Sequence, residues 1–268
     1  MMNFFSTWCR RWFPALCIAI VAPLSAFGAL PDTTTRSPLL LGVFLSPVFG
    51  IAAPEFAQEY ERISNTLFSF DSPLAFGATT KAVFDQFRIG VSAEAYRTRF
   101  QDNYQQDFAY PDGFGDTIRG FRGIYQDFHI KVLPVFATIE VVPIRAQFRT
   151  YAGVGLGMAY TDIYWSEAVA STDPTDRRKG GVHVNEQRFA PAFRLYSGIE
   201  LGFDRVEGTS LLHSLFIEAR YSSIPVSLPL LEGIATQMEG APAGWNDRFS
   251  IQTGGFAIVA GLTLQFRK

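Results

Sequence analysis

From Phe256 to Phe266 the chain alternates without a break. Phe256, Ile258, Ala260, Leu262, Leu264 and Phe266 share one face of an extended strand, and Ala257, Val259, Gly261, Thr263 and Gln265 share the other. The same period of two recurs backwards along the chain. It predicts strands over 213–224, 192–204, 148–161, 126–142, 87–100, 74–84 and 39–50, eight in all. In 148–161, Phe148, Ala152, Val154, Leu156, Met158 and Tyr160 oppose Arg149, Tyr151, Gly153, Gly155, Gly157 and Ala159. In 126–142 the pattern predicts a phase change near Pro134, since proline is tolerated at bulges and edges. His129 and Lys131 then face inward before it, and Thr138 and Glu140 after it.

The spaces between these segments alternate in length. Links near 85–86, 143–147 and 205–210 are short; those near 51–72, 101–124, 164–188 and 225–248 are long and rich in polar residues, Pro and Gly. Short turns at one end and long loops at the other are the pattern of a membrane-spanning antiparallel barrel. Sidedness points the same way. Ionisable groups share a face with glycine and serine, opposite continuous aliphatic and aromatic residues, which inverts the pattern of a water-soluble barrel. The expected fold is all-β: an eight-stranded, antiparallel, up-and-down transmembrane β-barrel with short periplasmic turns and long external loops.

The N-terminus changes the picture by assigning a compartment. Arg10 and Arg11 precede an apolar run from Trp12 to Ala22, and Ala26 and Gly28 place small residues before Ala29. This is the layout of a secretory signal peptide over 1–28, leaving a barrel domain over 29–268. An uncleaved anchor helix is the competing reading, which Pro14 and Pro23 would interrupt. Both cysteines, Cys9 and Cys17, lie in that leader, so neither a disulfide nor a thiolate metal site is expected in the mature part. The leader holds two of the 23 Lys+Arg and none of the 25 Asp+Glu, so the mature part carries a net charge of −4. That argues against nucleic acid as a partner.

The predicted inward positions gather the candidate chemistry. Lys81, Arg88, Lys131, Arg149, Arg194 and Arg220 would face Glu94, Glu140, Glu200 and Glu218, with His129 nearby. A barrel of eight strands is just filled by its own side chains, so these charges must pair or meet water. Two readings follow: a structural salt-bridge plug, or a gate whose rearrangement opens a small pore. Glu218, Arg220, Arg194 and Glu200 are the first choice for a network. His183 with Glu186, His213 and His129 are the histidines a barrel enzyme could use, but no serine stands at a recognisable spacing, so no catalytic residue is assigned. Three scattered histidines give no metal-ligand spacing, and no cofactor is expected. Residues 54–66 could form a short amphipathic helix in the first loop. The aromatic stretches at 101–116 and 160–165 fit either an interfacial belt or a recognition surface. The run 173–179 reads as an exposed loop tip.

The stretch Tyr151-Ala152-Gly153-Val154-Gly155-Leu156-Gly157-Met158-Ala159-Tyr160, the Glu218-Ala219-Arg220-Tyr221 strand, Leu133-Pro134 with the strand after it, and the closing strand ending at Phe266 together resemble small outer-membrane barrels of the OmpW, OmpX and OmpA transmembrane-domain type. The resemblance implies residence in a bacterial outer membrane, contact with its lipid, and delivery by the barrel-assembly machinery. Phe256, Leu262, Leu264 and Phe266 would serve as the assembly signal, although Arg267 and Lys268 follow where a terminal Phe is usual. It suggests either a passive channel for small or hydrophobic solutes or a surface barrel binding host or surface ligands through its loops; the first reading here is the passive channel or a structural membrane protein, ahead of the adhesin or receptor barrel and, last, a lipid-modifying enzyme. No peptidoglycan-binding domain of the OmpA kind is expected.

Overall fold

In the computed structural model, which describes residues 39–111, 117–143, 147–173, 180–203, 212–228 and 249–266, the period-two segments close into a ring. The elements are β1 (Leu39–Phe49), α1 (Pro54–Ser64), β2 (Leu74–Phe84), β3 (Phe87–Pro111), β4 (Thr117–Val141), β5 (Phe148–Ser171), β6 (Gly180–Gly202), β7 (Leu212–Ser223), β8 (Pro225–Leu228), β9 (Phe249–Gln252) and β10 (Gly255–Phe266). The barrel order is β1-β10-β7-β6-β5-β4-β3-β2, and β8 and β9 pair separately as a small hairpin. Every barrel neighbour is antiparallel, and β1 closes on β10 from Leu39↔Phe266 to Phe49↔Phe256. Closure leaves no unpaired edge where the barrel crosses lipid, the condition for spanning a membrane with strands. The leader expected over 1–28 and the short link expected near 205–210 lie outside the described residues, as does most of the loop tip expected at 173–179.

The alternation sorts side chains as a lipid-embedded barrel requires. Phe148, Leu156, Phe189 and Ile199 are exposed on the outside, whereas Arg194, Glu140, Glu200 and Glu218 are buried inside. So large an apolar exterior is unsuited to water and suited to hydrocarbon. The outward side chains of Phe87–Ala95, Leu133–Val141, Phe148–Tyr160 and Phe189–Leu201 include no Asp, Glu, Lys or Arg. These runs of nine to thirteen residues match what a tilted strand needs to cross a bilayer.

Two expectations are corrected here. First, β4 has no phase change. Its register with β5 runs unbroken from Arg122↔Ser171 through Pro134↔Ala159 to Val141↔Ala152. Pairing with β3 lapses only opposite Pro134, between Ala93↔Val135 and Tyr96↔Val132, and resumes in the same register. Proline has lost a ladder donor there without shifting the strand. His129 and Lys131 therefore point outward, with Phe128, Ile130 and Val132 buried inside. Second, the stretches read as long loops at 101–124 and 164–188 are largely strand. The structure continues β3, β4, β5 and β6 well past the apolar belt, and the hairpin pairing persists to Pro111↔Thr117 and Val169↔Gly180.

The tyrosine–glycine alternation of β5 has a packing reason. Tyr151 lies opposite Gly198, and Gly153 opposite Tyr196. A Cβ on Gly153 would come within 2.5 Å of the Tyr196 ring, and one on Gly198 within 2.7 Å of the Tyr151 ring. Each ring lies across the glycine of the other strand, so the two tyrosines fill the lumen side by side.

Candidate functional site: the filled lumen and the projecting sheet

The interior has two layers. The one nearer the short turns is ionic. Arg88 Nη1 donates to Glu200 Oε2 at 2.6 Å and lies 3.6 Å from Glu140 Oε2. Lys81 donates to Glu140, which also accepts from the Tyr196 hydroxyl at 3.1 Å. Arg149 and His213 flank Glu200 at 3.7 Å each. Above this group sits a second. Glu94 accepts from Arg194 and, at 2.7 Å, from Arg220 Nη1; Arg220 Nε donates to Glu218 Oε1 at 2.7 Å. The remaining Arg194 donors go to Ser222 at 3.0 Å and Ser92 at 3.1 Å. Its guanidinium stacks 3.7 Å above Phe136, while that of Arg220 lies 4.7 Å from Phe44. Tyr151 donates to Glu218 of the second group at 3.1 Å, and Lys81 Nζ of the first group lies 5.4 Å from the centre of its ring, so the tyrosine spans the two.

The structure thus brings Lys81, Arg88, Glu94, Glu140, Arg149, Arg194, Glu200, Glu218 and Arg220 into the lumen. Of the four residues named first for a network, Arg194, Glu218 and Arg220 share one cluster; Glu200 belongs to the other. His129 and Lys131 do not take part: they stand on the outer wall, because above the hydrocarbon an outward strand face is free to be polar. Sequence reasoning missed Tyr151, Tyr196, Ser92, Ser222 and Phe136 as members of the network. Tyr151 was the one with a signal, as a large inward residue among glycines.

The layer toward the long loops is apolar. Helix α1 begins at Pro54, a residue suited to a first helical turn, and ends at Asn65 in the left-handed region (φ 54°). It turns Phe56 and Tyr60 into the barrel mouth, where they meet Phe68, Phe100 and Phe128; the Phe56–Phe128 centroids are 5.7 Å apart. The Tyr60 hydroxyl donates to Asp102 at 2.7 Å and pins the helix to β3. The β8–β9 hairpin adds Val226 and Ile251 to the same core, and Ala52 pairs with Gln252 to join the hairpin to the start of the helix segment. Between the charged clusters a cavity of about 10 Å³ remains, bordered by Lys81, Glu140, Arg194 and Glu218. That volume is at the threshold for a single water.

Outside the membrane belt, β3–β6 project as a four-stranded sheet. The 97–111 stretch of β3 alone reaches about 45 Å along the strand at a rise of roughly 3.3 Å per residue. Beyond Ala95, β3 pairs with β4 alone, since β2 pairs with β3 no further than Phe76↔Ala95. Beyond Phe193, β6 likewise pairs with β5 alone among the described residues. The outer face of the sheet carries paired charges: Arg99 forks onto Asp127 at 2.8 and 2.9 Å, and Lys131 reaches Asp162 at 2.8 Å.

The histidines are dispersed. His213 lies 3.2 Å from Arg149. His183, expected in a loop, is an exposed residue of β6 opposite Ser166, and no hydrogen bond joins the two. His129 stacks on Tyr164 with centroids 4.7 Å apart. Burial, with Arg97 second, holds the His129 imidazole down at about 4, from an ordinary 6.5. A base depressed in the folded state loses stability as pH falls, because the unfolded chain takes up a proton that the folded one refuses. The barrel should therefore lose stability between pH 6.5 and 4, and the His129→Gln variant should be flatter over that window in urea titrations. The Asp127 carboxyl, held low by its hydrogen bonds from Arg99, matters only below its ordinary 3.8 and leaves that window clear.

A closed ring of eight strands, charges inside, apolar side chains outside and short turns at one end decide the architecture. The fold is that of a small eight-stranded outer-membrane barrel. No family profile matches the chain, and no curated protein does. Among solved structures it is similar to Neisserial surface protein A, at 10% identity and a TM-score of 0.41 over 88% of this chain and 100% of that one. It is also similar to Ail, the attachment invasion locus protein of Yersinia pestis, at 13% identity and a TM-score of 0.35 over 86% and 97%. A third is the N-terminal β-barrel domain of Pseudomonas aeruginosa OprF, at 10% identity and 0.31 over 86% and 98%. The barrel assignment stands on this chain's own register and burial.

Proposed function

We propose that this chain is a sealed barrel of the bacterial outer membrane whose work is done by the sheet it holds outside, as an attachment or recognition surface. The observation that carries this reading is the lumen, filled below by two salt-bridge clusters and above by the aromatic core around Phe56, Phe100 and Phe128. A passive conduit would need both layers to part. Opening the ionic layer separates buried partners, at a cost of several kcal/mol for each charge left alone. The projecting sheet supports the reading from the other side: a rigid scaffold displaying a surface is the common arrangement for binding.

The test is a trimmed variant. The Gln105↔Gly123 and Ala168↔Gly181 pairs mark places where the β3–β4 and β5–β6 hairpins can be closed by two-residue turns without touching the membrane belt. Cells displaying the trimmed barrel should still show the heat-dependent gel mobility of a folded barrel. Their attachment to surfaces coated with host-matrix protein should fall to that of cells lacking the chain. Unchanged attachment, or none with the full-length chain, contradicts the proposal.

A further inference from the structure

On β3–β6 the outward side chains change from apolar to polar in one level row. Arg97↔Lys131, Lys131↔Asp162 and Asp162↔Gln187 sit directly over Ala95, Leu133, Tyr160 and Phe189 and mark where hydrocarbon ends. From Arg99 outward the face stands clear of the membrane. There, among the described residues, it carries no aliphatic side chain larger than alanine.

Two rings stand out from it, Phe121 at 47% and Tyr125 at 42% exposure. They lie four residues apart on β4, about 13 Å at a rise of roughly 3.3 Å per residue. Between them the floor is low. Gly123 lies opposite Ala170, and Ala168 and Gly181 continue the floor across β5 and β6. A Cβ on Gly123 would meet nothing nearer than the Ala170 carbonyl oxygen at 4.0 Å, so the space above it is open. On the other side, β3 lines this shallow trough with the amides of Gln101, Asn103 and Gln105. Both rings are held in place: Gln101 Nε2 donates to the Tyr125 hydroxyl, and the Phe121 backbone N–H donates to Thr172 Oγ1 at 3.1 Å.

The charges of the same face cancel, Arg99 and Arg119 against Asp107 and Asp127. Arg99 is forked onto Asp127, and Gln105 Nε2 reaches Asp107 at 3.4 Å. An acidic polymer would need a basic patch, and the centre of a protein interface needs large anchors seated in pockets. A neutral sugar fits what is present. Its C–H face packs on an aromatic ring, and its hydroxyls both donate and accept, as a side-chain amide does.

We infer that the outer face of the projecting sheet binds an uncharged oligosaccharide, its sugar rings packed on Tyr125 and Phe121 across Gly123 and its hydroxyls meeting the amides of β3. The inference rests on the attachment reading and names the class of ligand. Fixed rings and a rigid sheet lower the ordering cost of binding, and many copies on one cell add avidity to a shallow site.

Cells displaying the full chain, passed over a printed array of neutral, sialylated and sulfated oligosaccharides, provide the test. The neutral probes are the chito-, malto-, lacto-N- and blood-group series. Cells with the parent chain should be retained on one or more of these, and cells lacking the chain on none. Phe121→Ala and Tyr125→Ala should each lower retention about tenfold, the scale of losing an aromatic anchor. Phe148→Ala, an exposed ring at the opposite end of β5, should leave it unchanged. Both trough rings are exposed, so the variants should keep the folded gel mobility. No retention on neutral probes, retention on charged probes alone, or retention untouched by both ring variants overturns the inference. The attachment reading is scored separately on matrix stripped enzymatically of its glycans. Attachment that persists there and is lost on trimming the sheet keeps that reading and overturns this one.

Discussion

Truncating Arg194 to alanine should cost the folded barrel about 3–5 kcal/mol, read as a fall in the urea midpoint of protein folded in liposomes. Arg194 is 1% exposed and is the largest fully buried side chain of the lumen. It donates to Glu94, Ser92 and Ser222 and lies against Phe136, so its loss empties a central volume and removes one of the two cations on Glu94. The sign follows from asymmetry: a buried pair adds little over a well-packed apolar pair, but a partner left behind keeps its full desolvation cost. For the same reason Arg194→Met combined with Glu94→Gln should be less damaging than the sum of the two changes, with a coupling of about 1 kcal/mol or more in a double-mutant cycle. Arg220 keeps Glu218 at 2.7 Å in that double variant. An Arg194→Ala barrel within about 1 kcal/mol of the parent would mean that water reaches the cluster freely.

Phe128→Ala should release the upper layer and leave the lower one intact. Phe128 is 1% exposed and touches Phe56, Phe68 and Phe70, and so joins β4 to α1 and to the segment after it. Removing so large a ring from a packed core costs about 3–5 kcal/mol. Here the loss falls on a helix held to the wall by that cluster and by the Tyr60–Asp102 hydrogen bond. Limited proteolysis should therefore cut within 54–72 in the variant and not in the parent, while the barrel keeps its folded gel mobility. Equal protection in both would show that α1 is held chiefly by other contacts.

The eight spanning strands were legible in the sequence wherever one face met hydrocarbon and the other did not. Phe256 to Phe266 and Phe148 to Tyr160 could be read residue by residue for that reason. The same rule failed once the strands left the membrane. In β3, Gln101, Asn103 and Gln105 alternate with Asp102, Tyr104 and Gln106, a sequence with little contrast between faces, so a 25-residue strand looked like 14 residues and a loop. A rule that reads charge as inside places His129 and Lys131 in the lumen; one row above the boundary that rule no longer holds, and both point outward. The β8–β9 hairpin lay within a segment rich in proline and glycine that carries no period of two. Pairing within the lumen was legible only as a requirement. Which carboxylate meets which cation depends on reach across the barrel, as for Arg88 and Glu200 or Glu94 and Arg220, and spacing along the chain does not encode it.

Whether the lumen is sealed by its own side chains can be read electrically. The refolded barrel should be reconstituted into planar bilayers at a density where insertion is verified. A sealed barrel inserts and passes no discrete current steps, with steps emerging only when both layers are breached, as in Phe128→Ala combined with Arg220→Gln. Regular single-channel steps from the unaltered chain would contradict it and return the passive channel to first place.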